Sequence, residues 1–151
     1  MITPRLQELL DQSGVSYHSI SHIGDYRANR IARAIDVPAD MFAKTVILRV
    51  DGQLCMAVLP ASEYIDLDNL RQEFGTNAIE LADEDDIRMA FPDCDIGAMP
   101  PFGALYGMEV YVSPELRSDE EIIFNAGRHG DAVQMRYQDY EQLARPSRLP
   151  M

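Results

Sequence analysis

Lysine is almost absent from this chain. Of its thirteen basic residues twelve are arginine, and Lys44 is the only lysine. Either residue supplies positive charge, so a sole lysine beside an apolar run points to a position that uses a compact ammonium, not a planar fork. A compositional preference for arginine, with one lysine left by chance, explains it equally well. Cysteine is also scarce. Cys55 and Cys94 are the only two, and neither belongs to a Cys-x-x-Cys motif. A bridge between them stays open; a reduced, cytoplasmic protein with Cys55 as a small core residue is the simpler expectation. No apolar run approaches the ~18 residues that span a bilayer, and Met1 to Arg5 lacks signal-peptide architecture. A membrane partner is therefore not expected.

Positive charge is the next shortage. The formal net charge of −12 argues against DNA as a partner and against a non-specific nucleic-acid coat protein. The deficit is uneven: residues 26–50 sum to +3 and the rest of the chain to −15. Such a basic face on an acidic body suits a small or terminal piece of an anion, although arginines at helical spacing also make an ordinary solvated face. Several catalytic signatures are missing. There is no phosphate-binding Gly-x-x-x-x-Gly-Lys loop, no Rossmann glycine fingerprint, no His-Glu-x-x-His and no Gly-x-Ser-x-Gly elbow. The three histidines have no matching ligand cluster, so no metal and no cofactor are expected.

What is present begins with a hairpin. Ala43 to Val50 and Gln53 to Leu59 are two apolar runs around Asp51-Gly52, a pair suited to a turn with positive φ at both central residues. Around it, Thr3-Pro4 opens a helix that ends before Gly14, and Val15 to Ile20 alternates as a strand. A second helix is expected over Arg27 to Ile35, stopped by Pro38. A third, capped by Asp66 or Asp68, closes at Gly75. Ala78 to Leu81 is a strand, and Asp83 to Asp86 loads acid onto the start of a fourth helix, where the macrodipole favours it. Strands follow near Glu109 to Val112, Glu121 to Phe124 and Ala132 to Met135. Tyr137 to Ala144 is the last helix. Residues 1–145 read as one domain of ordinary size, and residues 146–151 as a frayed C-terminal tail.

Between the fourth helix and the later strands lies Gly97-Ala98-Met99-Pro100-Pro101-Phe102-Gly103. Prolines stiffen such a loop and glycines let backbone approach a ligand. Its amides suit an oxyanion or carboxyl cradle; an ordinary connection has the same composition. His129, in Gly127 to Asp131, reads as a turn residue, with ligand contact as the lesser option.

In this order, Phe42-Ala43-Lys44-Thr45-Val46 entering a hairpin, the Gly-x-x-x-Pro loop from Gly97 to Pro101 and Asn125-Ala126-Gly127 closing a strand resemble the YbaK/ProX-type aminoacyl-tRNA deacylases. That family also supplies the editing domain of some bacterial prolyl-tRNA synthetases. The resemblance runs from about Leu6 to Leu143. It implies an α+β fold: a mixed, largely antiparallel sheet curled towards a barrel, with surrounding helices. It also implies cytoplasmic hydrolysis of the ester joining a wrong amino acid to the tRNA 3′ end. The partners would be the aminoacyl-tRNA acceptor end and a synthetase.

By the same match Lys44 is the essential lysine, Gly97 and Pro101 shape the aminoacyl pocket, and Asn125 and Gly127 lie near it. Catalysis would use Lys44 and the backbone amides of the Gly97–Pro101 loop. Ile47, Met56, Met99 and Phe102 are candidate apolar pocket walls, each with plain core packing as the alternative, which is favoured for Ile47 and Met56. Arg30, with Arg27 and Arg33, would touch acceptor-stem phosphates. Tyr26 to Arg30 stands where many members carry a small hydroxyl residue and an acidic one, so the amino-acid specificity stays open. A non-catalytic module of the same fold, holding an amino acid, a nucleotide or the tRNA 3′ end, is the competing class.

Overall fold

A computed structural model describes residues 2–21, 41–117 and 120–150. Five helices and eight strands are found among them: α1 (Pro4–Ser13), β1 (Tyr17–Ser21), β2 (Phe42–Val50), β3 (Gln53–Pro60), α2 (Leu67–Phe74), β4 (Ile79–Leu81), α3 (Glu84–Ala90), β5 (Val110–Val112), α4 (Pro114–Arg117), β6 (Glu121–Asn125), β7 (Asp131–Arg136), α5 (Tyr137–Ala144) and β8 (Ser147–Arg148). The helix expected over Arg27 to Ile35, and Arg30 with it, lies outside the described residues. None of the described helices is long and apolar enough to cross a membrane.

All eight strands form one mixed sheet in the order β1-β7-β6-β2-β3-β5-β8, with β4 added to β2. Four of the pairings are antiparallel and three, β2–β6, β3–β5 and β5–β8, are parallel. The expected α+β architecture holds, and the sheet curls without closing: β1 and β8 remain its two ends. β2 is the shared strand. β3 runs along one side of it, while β6 pairs with its start at Phe42 and Ala43, and β4 with its end from Leu48 to Val50.

Alternation along β2 divides the interior in two. Ala43 and Ile47 join the main core with Leu6 and Leu10 of α1 and Tyr137, Tyr140 and Ala144 of α5. Phe42 and Leu48 point the other way, into two smaller clusters, one of which includes Leu70 of α2. Local chemistry explains the element ends. Asp51 and Gly52 take φ of 50° and 84° at the hairpin tip, as the Asp-Gly pair requires. Asp66 accepts from the Asn69 amide, and Asp83 with Asp86 makes a capping box, so the acidic run serves a helix start.

Two expectations are corrected. Thr3 stands at the N-cap of α1 but its side chain makes no capping hydrogen bond. It is buried instead, its amide donating to the Ala126 carbonyl (3.1 Å), so tertiary docking overrides the local cap. The segment expected to fray after Arg145 joins the sheet: Ser147 and Arg148 pair with Tyr111 and Val112, and Leu149 is fully buried.

Candidate active site

Lys44 is the third residue of β2, on the strand face that also carries Phe42, Val46 and Leu48. It is half-buried and opposite Leu59 of β3. On its other side the parallel pairing Phe42↔Ile123, Ala43↔Phe124 ends one residue before Lys44 and before Asn125, the last residue of β6. Asn125 is buried, and its side-chain amide donates to the Gly97 carbonyl at 3.5 Å. Two motifs far apart in sequence, around Lys44 and Gly97, thus converge on the C-terminal end of β6. The Asn125 side-chain oxygen has no hydrogen-bond partner among the described residues, which leaves a buried acceptor at this junction.

The loop is held from several directions. Gly127 donates to the Ala98 carbonyl (2.8 Å), and Asp95 donates to the Gly127 carbonyl (2.8 Å). The Asp95 carboxylate accepts from the His129 amide at 2.9 Å and faces Arg128 at 3.5 Å. The Tyr140 hydroxyl, buried, donates to the Pro101 carbonyl at 2.8 Å. Gly97 has φ of 89°, a left-handed value that favours glycine. A side chain there would meet the His129 ring at 3.6 Å, so His129 sits directly beside the loop. Asp95 and His129 were legible only as turn chemistry; the aspartate's habit of binding nearby amides was the available signal for Asp95.

These hydrogen bonds limit which amides can face a ligand. Ala98 N–H already donates to the Asp95 carbonyl at 3.0 Å, and Pro100 and Pro101 have no N–H. Gly97 N–H contacts only the soft sulfur of Met99, at 3.2 Å, a weak acceptor. Among the described residues Met99 N–H has no partner. Gly97 and Met99 are therefore the loop's two adaptable donors.

The side chains of Met99 and Phe102 are buried in the main core, as are Ile47 and Met56. Phe102 packs edge-on against Phe124 and Tyr140, with centroids 5.5 and 5.2 Å apart. Phe124 points to the sheet face opposite Asn125, so Phe102 supports the loop from the core side. Phe102→Ala is expected to cost about 3–5 kcal/mol of stability, as for a buried phenylalanine truncated to a cavity. Urea unfolding checks it; a loss under about 1 kcal/mol, the scale of an ordinary surface change, would mean the ring is not a core residue.

Around Lys44 the charge is finely set. Burial lowers its pKa from the ordinary lysine value, while the negative charge of Glu63 opposes that shift. No ion pair of Lys44 exists among the described residues. Its ammonium instead lies 4.4 Å from the centre of the Tyr64 ring, a cation–π distance. The sequence held no signal for Tyr64. A cleft of about 390 Å³ beside it is lined by Glu63, Tyr64, Ser113, Pro114, Glu115 and Arg148. A larger groove, about 780 Å³, lies at the other end of the hairpin and holds none of these motif residues. Among the described residues no group of three or more His, Cys, Asp or Glu could hold a metal ion.

Known proteins resemble this chain in sequence and fold. The multifunctional Ser/Thr-tRNA deacylase ProXp-y of Escherichia coli (strain K12) is 27% identical over 147 residues, covering 94% of this chain and 87% of that protein. A proline–tRNA ligase of Staphylococcus saprophyticus is 28% identical over 108 residues, which is 70% of this chain but 18% of the ligase. A crystal structure described as a candidate trans-editing enzyme for prolyl-tRNA synthetase superposes with a TM-score of 0.83 at 16% identity, covering 99% of this chain and 96% of that one; it supports the fold. The family of aminoacyl-tRNA editing domains matches residues 25–143, and the chain belongs to that family.

Proposed function

We propose that this protein is a trans-editing hydrolase that clears mischarged aminoacyl-tRNA, with Lys44 and the amides of the Gly97–Pro101 loop as its working groups. The coarse activity, aminoacyl-tRNA deacylation, follows from the family and from the E. coli relative. The finer assignment is supported by one observation: the β2–β6 pairing ends one residue before Lys44 and Asn125, and the Asn125 amide donates to the Gly97 carbonyl. In this proposal the chain forms one editing domain that includes β8, and a synthetase delivers the substrate to an acidic body that would bind tRNA weakly by itself.

The chemistry needs little activation, because an aminoacyl ester is already reactive. Lys44 would hold the 3′-terminal sugar–phosphate or the ester carbonyl. A water would attack the carbonyl carbon and give up its proton; where a substrate hydroxyl attacks first, water must open the new ester before free amino acid can leave. The Gly97 and Met99 amides would stabilise the oxyanion that forms, as preorganised donors do. The C–O bond to the ribose then breaks, the ribose oxygen takes the proton, and free amino acid leaves with hydrolysis complete. Gly127 and Asn125 hold the loop, Pro101 stiffens it, and Met99 and Phe102 support it from the core.

The test is amino-acid release from a panel of mischarged tRNAs. Release from at least one ester is expected, and the panel names the amino acid. Saturable binding of every substrate by folded protein without release would overturn the proposal in favour of a binding module.

A further inference from the structure

One large aromatic ring stands in the open among the described residues. Tyr64 is 76% exposed, and its hydroxyl has no hydrogen-bond partner among them. The turn that presents it is firmly built: Ala61 N–H donates to the Phe42 carbonyl (2.7 Å) and Glu63 N–H to the Pro60 carbonyl (2.9 Å). Its ring lies over the Lys44 ammonium, which leaves most of the ring's surface to solvent. On the far side of the adjoining cleft stands Arg148, exposed and without an ion pair among the described residues.

We propose that Tyr64 is a stacking platform for an unpaired base at the tRNA 3′ end, with Arg148 on the neighbouring phosphate. This rests on the deacylase reading and names how the substrate's nucleic-acid part is held. Every base has a π face, so an exposed ring binds it without regard to sequence. Stacking is also the contact an acidic chain can best use, because it does not depend on neutralising phosphates. Glu63 and Glu115 line the same cleft and repel phosphate. Glu63 is partly occupied, accepting from the Ser113 hydroxyl at 3.3 Å, and its charge also favours the Lys44 ammonium. That leaves room for a single phosphate at the Arg148 end. A base on the outer face of Tyr64 would lie across the ring from the Lys44 ammonium.

The experiment uses the full chain and an uncharged RNA hairpin ending in single-stranded ACCA, beside the same hairpin with an abasic terminal residue. Affinity is read by fluorescence anisotropy over a salt series. Tyr64→Ala is expected to weaken binding of the intact hairpin roughly tenfold or more, the loss of one base stack, and Tyr64→Phe to bind like wild type. The abasic hairpin should show the same loss on wild type and no further loss on Tyr64→Ala. Salt dependence should be unchanged in Tyr64→Ala and lose about one unit of slope in Arg148→Gln. No binding by wild type, equal affinity of Tyr64→Ala, or equal affinity for the abasic hairpin would overturn the platform. Lys44-dependent release without these effects removes the platform and leaves the deacylase. The effects without release from any ester remove the deacylase and leave the platform.

Discussion

Lys44→Ala is expected to lower the deacylation rate by about 10²–10³ or more, the loss seen when one preorganised charge-stabilising donor is removed. Lys44→Arg should fail to restore it, because a guanidinium is larger and planar and cannot reproduce a point-charge contact. The pH profile carries an independent check. Burial depresses the Lys44 pKa, and the proposed mechanism uses the protonated form. The rate should therefore fall as pH rises through that lowered pKa, with an alkaline limb below the free-lysine value of about 10.4. Stability runs the other way. A lysine whose pKa is lower folded than unfolded disfavours the fold while it is charged, and that cost is relieved as pH rises through the folded pKa. Lys44→Met should accordingly unfold no earlier than wild type at neutral pH while losing activity. A Lys44→Ala enzyme with near wild-type rate on a released ester would remove the lysine from the chemistry.

Gly127→Ala should be strongly destabilising. The added Cβ would lie 2.1 Å from the Thr3 Cγ2 atom, at a φ of +97°. Left-handed strain and overpacking together predict a loss of about 2–5 kcal/mol. Gly97→Ala is the matched control. It shares the positive φ, but its Cβ meets only the His129 ring at 3.6 Å, so strain alone should cost about 1–2 kcal/mol. Adding Thr3→Ala to Gly127→Ala removes the clashing methyl and should recover part of the loss, a coupling that a double-mutant cycle in urea measures. If Gly127→Ala proves no worse than Gly97→Ala, Thr3 is not held firmly against the loop. Because Gly127 donates to Ala98, the same variant should also loosen the loop and slow deacylation.

These contrasts show what local pattern can and cannot reveal. The hairpin was legible because Asp51-Gly52 admits few alternatives, and α5 because its apolar spacing and the following Pro146 agree on its limits. β8 was not. Two residues beside a proline have the composition of a tail, and only burial of Leu149 against the second sheet face gives them a place. Thr3 carried a correct position and the wrong role, since its side chain answers to Gly127 and not to its own helix. For the site, Lys44, Gly97, Asn125 and Gly127 could be named by motif. Their meeting depends on a two-residue parallel pairing, which no periodicity encodes. Phe102 read equally as wall or core, and the choice was made by Phe124 and Tyr140. Tyr64 left no trace in the sequence, because its exposure is a property of the turn that carries it.

That short parallel pairing also sets an order of events when the chain folds. Nearby segments meet sooner than distant ones, because closing a longer loop costs more entropy. The β2–β3 hairpin can form early, while β6 must arrive from far along the sequence before Asn125 reaches Lys44. In the interval Lys44 is in place but Asn125, which holds the Gly97 loop, is not, so on the proposed mechanism the species is inert. The start of β2 meanwhile offers an unpaired apolar edge at Phe42 and Ala43, the kind of edge on which other chains assemble. Recovery of activity during refolding would consequently lag recovery of strand and helix signal, and aggregation at that stage would begin beside Lys44.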